Sequence, residues 1–179
     1  MTYLEKQIET NPKLNFNVVT SPNSVGIRPE GQKQVVHQLQ GILSNMFSLY
    51  QLALGCHWNV RGIHFDNFHR LFEGHYKSLL NGADEIAERI RMLDGEAPYT
   101  PKDLALHSEV EVKGLLKNEK DMLIALREGN EVLARKVHAA IQVCKKSEDE
   151  VTADILIKRL FRLEEAVWYA KNLLQGSGH

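Results

Sequence analysis

Four long stretches of the chain repeat apolar residues at alternating intervals of three and four, which is the spacing of one face of an α-helix. The first stretch begins near Val36 and ends before Gly62, and its apolar series runs into a histidine, His57. The other three cover roughly 66–93, 116–146 and 149–174. No segment alternates apolar and polar residues as a half-buried strand would. The sequence therefore predicts an all-α fold built from four long helices.

The connection between the second and third helices is longer than the others and carries a short helix of its own. Thr100 fits an N-cap, Pro101 fits the first helical position, and the short helix would end near His107. A long connection lets the second and third helices run parallel, as they do in ferritin-like bundles. We therefore predict a ferritin-like four-helix bundle with a short extra helix between helices two and three.

The two ends of the chain differ from the bundle between them. Residues 1–30 hold three prolines and four asparagines and show no sustained apolar period, which favours an extended N-terminal arm. Residues 31–175 are predicted to form the bundle domain. Residues 176–179 resemble the start of a purification tag and take no part in the interpretation.

Charge and cysteine content exclude several classes of protein. With 22 Lys+Arg against 23 Asp+Glu, the formal net charge is −1, so no overall field draws the chain to nucleic acid or to an anionic membrane. The sequence has no apolar run of about 18 residues and no recognisable signal peptide. Cys56 and Cys144 are too few for a disulfide framework and are predicted to be free thiols in a reducing, cytoplasmic setting.

The eight histidines are the place to look for metal ligands. Ferritin-like bundles usually hold a di-iron centre through Glu-x-x-His motifs, but none of these histidines has a glutamate three residues before it. The second helix instead carries His69 with Glu73 and Asp84 with Glu88, each pair four residues apart. All four positions fall within an arc of roughly 100° on one face of the helix, and each pair would offer two ligand atoms to one ion.

A single chain cannot join the two pairs into one site. Glu73 and Asp84 are eleven residues apart, or about 16 Å along the helix axis, whereas metal–ligand bonds are about 2 Å long. If two copies of the second helix pack antiparallel around a two-fold axis, the His69 end of one chain meets the Glu88 end of the other, and two identical sites result. His57 lies near the His69 end and would add a second imidazole. This mixture of imidazole and carboxylate ligands suits Fe(II), Mn(II) or Zn(II).

The segments around these positions resemble the Dps family, ferritin-like proteins named for DNA binding in starved cells. The similarity covers about residues 31–174 and is carried by the segments 56–62 (Cys-His-Trp-Asn-Val-Arg-Gly), 84–90 and 152–156 and by Phe65, Phe68, His69, Glu73, Tyr76 and Trp168. The resemblance implies a hollow homododecamer with ferroxidase centres between subunits. It further implies oxidation of Fe(II) by hydrogen peroxide, or more slowly by oxygen, storage of the ferric mineral in the cavity, and protection of the cell from oxidative damage.

Transferred residue by residue, the resemblance assigns the iron ligands to His57, His69, Glu73, Asp84 and Glu88. The family more often has Asp at the third of these positions, and the longer glutamate still donates oxygen. Each residue alone would more simply be a core histidine or a solvated carboxylate, and it is their joint spacing that favours a ferroxidase centre. Trp58 resembles the family's tryptophan beside the iron, with a redox role or interface packing as its two alternatives. Asp149 and Asp154, near the start of the last helix, are candidates for the acidic lining of the family's three-fold pores.

DNA binding is the part of the family's name that this sequence does not support. Many Dps proteins bind DNA through a flexible tail rich in Lys or Arg, because phosphate neutralisation supplies most of the non-specific affinity. Here the side-chain charges of the arm sum to zero, and the chain ends without a basic cluster. Those charges belong to Glu5, Glu9, Glu30, Lys6, Lys13 and Arg28. We expect weak or no DNA binding at physiological salt.

Two alternatives to an iron-oxidising storage protein stay open at the level of sequence. One is a nucleoid-compacting DNA-binding protein whose metal site is structural, against which the neutral arm argues. The other is a helical assembly or surface-recognition protein that has kept the fold and lost the chemistry, against which the intact set of ligands argues.

Overall fold

The computed structural model describes residues 26–111, 114 and 116–175. The predicted arm up to residue 25 and the tag-like residues 176–179 lie outside the described residues. Within those residues the chain forms four long helices, one short helix and no strand, which confirms the all-α prediction. The helices are α1 (Pro29–Asn59), α2 (Phe65–Met92), α3 (Pro101–Leu106), α4 (Glu119–Lys146) and α5 (Glu150–Gln175). None of the helices in the described part is long and apolar enough to cross a membrane.

The long helices pack as a bundle in which α1 lies against α2 and α4, and α4 lies against α5. Two contacts fix the direction of α4 relative to α2. Asn130 bonds His75 at 3.0 Å, and Arg89 bonds Asp149, just beyond the end of α4, at 2.9 Å. Residue numbers rise together along both helices, so α2 and α4 run parallel, as predicted for a ferritin-like bundle. The long connection that contains α3 makes this direction possible.

The starts of α3 and α4 follow their capping residues. Thr100 caps α3 as predicted, because its hydroxyl oxygen accepts a hydrogen bond from the main-chain N–H of Asp103 at 3.1 Å. α4 begins three residues later than predicted. Its cap is Asn118, whose side-chain oxygen accepts from the main-chain N–H of Asp121 at 2.9 Å.

The starts of α1 and α2 differ from the sequence prediction. α1 begins with Pro29 in its first turn, two residues before the predicted domain boundary. α2 begins at Phe65, one residue before the predicted range, and His64 rather than Asp66 occupies the N-cap position. Asp66 lies in the first turn instead, where its negative charge suits the helix N-terminus and pairs with Arg70 at 3.0 Å.

The inner face of α2 is anchored in the bundle while its other face is left open for the candidate ligands. Phe72 and Ile86 are fully buried, and side chains of this kind each contribute roughly 1.5–3 kcal/mol on burial. Gly82 allows a close approach of α1 and α5, since a Cβ there would lie 2.7 Å from the side chains of both Met46 and Arg159. This packing fixes which side of α2 faces outward.

Candidate metal centre

The loop between α1 and α2 brings His57 and His69 together. Their rings are stacked, with centroids 3.7 Å apart and planes inclined by 23°. Nδ1 of His57 lies 2.9 Å from the carbonyl oxygen of His69, and Nδ1 of His69 lies 2.9 Å from the carbonyl oxygen of His57. A carbonyl oxygen only accepts, so both Nδ1 atoms donate, and each neutral imidazole keeps its lone pair on Nε2. Metal-ligating histidines typically have this tautomer, fixed by a hydrogen bond at the other nitrogen.

Aromatic side chains enclose the two imidazoles. Phe65 stacks on His69 with ring centroids 4.9 Å apart, and Tyr76 meets His57 edge-on at 5.3 Å. Tyr50 in turn lies 6.1 Å from Tyr76. These rings limit the rotation of the imidazoles, so the Nε2 atoms are held in place without a metal ion.

Glu73 lies one turn beyond His69 on α2 and is half-exposed. Its Oε1 accepts a hydrogen bond from Nζ of Lys77 at 2.5 Å. This bond and the charge of Lys77 lower the pKa of Glu73. Glu73 is therefore an ionised oxygen donor beside the two imidazoles.

Asp84 and Glu88 form a separate half of the ligand set. Both are exposed on the outer side of α2, and neither has a hydrogen bond or ion pair among the described residues. The neighbouring charged side chains lie in other surroundings. Glu85 pairs with Arg159 at 3.3 Å, and Arg89 points into the bundle. The two carboxylates are thus left open to a ligand from outside the chain.

The described part of one chain therefore contains two half-sites rather than one closed centre. The structure stacks His57 on His69 and places Glu73 one helical turn beyond His69, and we call these three residues the histidine half-site. It does not bring Asp84 and Glu88, the carboxylate half-site, to that group, because about 16 Å of helix separates them. Over residues 26–111, 114 and 116–175, no three His, Cys, Asp or Glu side chains are close enough to share a metal ion.

An apolar surface borders the histidine half-site. Trp58 is 70% exposed and Ile63 is 94% exposed, and Phe65 is also exposed. His64 lies exposed in the same loop. Large apolar side chains clustered in water are unusual on an isolated protein and indicate a surface that contacts another molecule.

The pore prediction fails for Asp149 and stays open for Asp154. Asp149 is buried, because its carboxylate accepts from the main-chain N–H of Thr152 at 3.0 Å and from the Arg89 guanidinium at 2.9 Å. It caps α5 and neutralises a buried charge, so it is not available to line a channel. The position of Asp149 directly before α5 was the sequence signal that it caps this helix. Asp154 is exposed and pairs with Lys158 at 2.7 Å.

Two interactions of histidine were not found from the sequence. His75 bonds Asn130 of α4 at 3.0 Å, and burial lowers its pKa to about 4. His138 has a carboxylate partner, Glu164 of α5, at 3.4 Å. Both contacts join residues that are far apart in the sequence, and periodicity within one helix carries no signal of them.

The two cysteines are free and buried, which confirms the prediction that they form no disulfide. Burial is the main cause that raises the pKa of Cys56 and of Cys144 to about 12 in each case. Both thiols therefore stay protonated and are poor nucleophiles at neutral pH.

Comparison with known proteins agrees with this architecture. Residues 36–176 match the ferritin family model, described as a ferritin-like domain. A "DNA protection during starvation protein" from Porphyromonas gingivalis is 30% identical over 143 residues, which cover 80% of this chain and 90% of that protein. The chain belongs to the Dps family.

Two further proteins are similar to this chain. "DNA protection during starvation protein 2" from Bacillus anthracis is 27% identical over 142 residues, 79% of this chain and 97% of that protein. The crystal structure of a Dps protein from Vibrio cholerae O1 superposes with a TM-score of 0.83 at 22% identity, covering 88% of this chain and 99% of that one. That protein is described as a member of a superfamily of ferritin-like diiron-carboxylate proteins, and at this identity the likeness supports the fold of our chain alone.

Proposed function

We propose that this protein is a ferroxidase that oxidises Fe(II) and stores the ferric product inside a hollow homododecamer, protecting the cell from oxidative damage. Membership in the Dps family supports iron storage and protection. The observation that carries the finer proposal is the histidine half-site, in which His57 and His69 orient each other and leave two Nε2 lone pairs beside an ionised carboxylate.

The complete centre would form between two subunits. Antiparallel packing of α2 on its symmetry copy brings the histidine half-site of one chain to the carboxylate half-site of the other and generates two identical centres. The exposed side chains of Trp58 and Ile63 support this arrangement, because the contact would bury them. Interface packing is then the role that we assign to Trp58 in preference to a redox role.

The donor set fits Fe(II) as the substrate. Two imidazole nitrogens and three carboxylates make a mixed nitrogen and oxygen environment, which divalent iron accepts. Mn(II) and Zn(II) have similar preferences and would compete for the same ligands. Lys77 bonds Oε1 of Glu73, which leaves Oε2 of the same carboxylate as the oxygen donor for iron.

The carboxylate ligands also favour oxidation of the bound iron. Three negative ligands stabilise Fe(III) more than Fe(II), because the Coulomb attraction grows with the charge of the ion. Two Fe(II) ions held together give two electrons to one hydrogen peroxide: 2 Fe(II) + H₂O₂ + 2 H⁺ → 2 Fe(III) + 2 H₂O. No hydroxyl radical leaves the site when both electrons are delivered there. Oxygen would serve as a slower oxidant.

Entry of iron and location in the cell are part of the same proposal. Asp154 is the remaining candidate for an acidic pore residue, since it is exposed near the start of α5. The two free buried thiols fit a reducing compartment such as the cytoplasm.

Stopped-flow measurement of Fe(II) oxidation tests the proposal. With peroxide, the wild type should oxidise iron well above the buffer rate, and Asp84→Ala should lose most of this acceleration, because one ligand of each centre is missing. Glu164→Ala removes an exposed carboxylate of α5 and serves as the matched control that keeps full activity. Oxidation by the wild type at the buffer rate with both peroxide and oxygen would refute the ferroxidase proposal.

A further inference from the structure

A cavity with a volume of about 300 Å³ lies between α2, α4 and α5, apart from the candidate metal ligands. Its wall is mostly apolar and includes Phe72, Leu126 and Tyr169. The polar side chains that line it include His75 and Asn130. The cavity is on the opposite side of α2 from the metal ligands, because His75 lies six residues, or about 240° around the helix, beyond His69. A largely apolar cavity with a few convergent polar groups is the usual form of a small-molecule site.

The hydrogen-bonding roles of His75 and Asn130 follow from one fixed contact. Nδ2 of Asn130 donates to the carbonyl oxygen of Leu126 at 2.7 Å. A carbonyl oxygen only accepts, so this bond fixes the orientation of the amide. The same Nδ2 lies 3.0 Å from Nε2 of His75, and it donates its second hydrogen there. Nε2 is therefore the acceptor, and the proton of the neutral ring is on Nδ1.

Each member of the pair has one hydrogen-bonding atom left over. Asn130 is 1% exposed, and its buried Oδ1 has no hydrogen-bond partner among the described residues. No described residue accepts a hydrogen bond from Nδ1 of His75 either. An unused buried acceptor is unfavourable, and most such atoms in folded proteins are satisfied by protein, water or a ligand. Nδ1–H of His75 and Oδ1 of Asn130 are thus an unused donor and an unused acceptor on two residues that line the cavity.

We propose that this cavity binds a small neutral phenol. The phenolic oxygen would accept from Nδ1–H of His75, and the hydroxyl hydrogen would go to Oδ1 of Asn130. The aromatic ring would lie against Phe72, Leu126 and Tyr169. A hydroxyl group is the smallest group that donates and accepts at one atom, so it matches the two unused atoms together.

A carboxylate is a poorer match for the same cavity. It carries only acceptors at neutral pH, so it would face Oδ1 of Asn130 with like partial charge and leave that atom unsatisfied. The two arginines that also line the cavity already have partners, since Arg70 pairs with Asp66 and Arg162 pairs with Glu165. Charge therefore gives no reason to prefer an anion.

Calorimetric titration of the full-length, assembled protein with phenol tests the proposal, with toluene and benzoate as matched probes. We expect saturable binding of one phenol per chain, with an affinity on the order of tenfold higher than that of toluene, because only phenol satisfies the unused pair. Benzoate should not bind. Equal affinity for phenol and toluene, or no saturable binding of phenol, would overturn the proposal and leave water as the occupant.

Two variants locate the binding within the fold. Ala166→Phe fills the cavity from α5 and should abolish phenol binding, whereas Ala139→Phe, at an exposed position of α4 outside the cavity, should leave it unchanged. His75→Phe keeps a ring but removes the Nδ1–H donor, and it should erase the preference for phenol over toluene. Phenol binding that survives Ala166→Phe at full affinity would place the ligand elsewhere and contradict the proposal.

Discussion

Each imidazole of the His57 and His69 pair is oriented by the main-chain carbonyl of the other histidine. The usual partner of a metal-ligating histidine is a carboxylate, a carbonyl or a water from elsewhere in the protein. Here the two histidines support each other, so neither depends on a third residue for its tautomer. Loss of one imidazole would remove the ring stacking but leave the main-chain carbonyl that orients the other ring.

Asp149 is a single residue whose substitution should lower the stability of the protein. Asp149→Ala should lower the free energy of unfolding by about 3–5 kcal/mol, because it leaves the buried Arg89 guanidinium without its counter-ion and removes the cap of α5. Urea denaturation followed by circular dichroism measures this loss. Asp154→Ala, which removes an exposed carboxylate five residues later, is the matched control and should change stability little. Similar small effects of both substitutions would contradict the structural role of Asp149.

The sequence predicted which residues are neighbours along one helix better than it predicted side-chain directions. Spacing of four along α2 was enough to place His69 with Glu73, since helix geometry alone decides that neighbourhood. The stacking of His57 on His69 depends on the path of the connecting loop, which has no periodicity to interpret. Asp149 was assigned to a pore because an acidic residue near a helix start suits an outward role as well as a cap, and only packing decides between them.

At the scale of helices, the apolar periodicity predicted four long elements and their order, because each must bury one continuous stripe. The apolar periodicity did not predict the hydrogen bond between His75 of α2 and Asn130 of α4. This bond joins polar residues 55 positions apart, and such a pair gives no local signal in either helix. The capping residues Thr100 and Asn118 explain the helix starts that spacing alone left uncertain by a few residues.

The free energy of unfolding depends on pH because His75, in the contact between α2 and α4, is buried. Burial lowers the pKa of His75 from 6.5 to about 4, so the folded protein binds this proton less readily than the unfolded chain. The resulting stabilisation is complete above about pH 6.5 and is lost as the pH falls through about 4, by at most about 3 kcal/mol. Urea denaturation at a series of pH values should show a steeper loss for the wild type than for His75→Phe. Parallel curves for the two proteins would mean that another group is responsible.

At the scale of the whole molecule, charge separates iron chemistry from DNA binding. A net charge of −1 per chain gives no overall attraction to a polyanion, while carboxylates that hold a metal ion need to be negative only locally. The neutral arm lies largely outside the described residues, and its contribution rests on the sequence alone.

A gel-shift experiment checks this expectation. Any complex between the protein and linear duplex DNA at low ionic strength should dissociate before about 150 mM salt, because few phosphates are neutralised. Complexes that persist at that salt concentration would show that the arm or the assembled surface binds DNA in spite of its charge.

We propose that each iron centre takes its histidine half-site from one chain and its carboxylate half-site from another. His69→Ala and Asp84→Ala each damage both centres of a symmetric dimer. In a mixed dimer of the two variants, one centre carries both substitutions and the other carries neither. Random assembly from equal amounts would therefore restore about a quarter of all centres.

Stopped-flow oxidation of Fe(II) by such mixed assemblies tests the claim most directly. We predict recovery to about a quarter of the wild-type rate after the two inactive variants are unfolded together and reassembled. The matched control mixes His69→Ala with Glu73→Ala, which damage the same half-site and should restore nothing. Activity that stays at the level of the separate variants in the first mixture, or that returns equally in both, would contradict a centre shared between two chains.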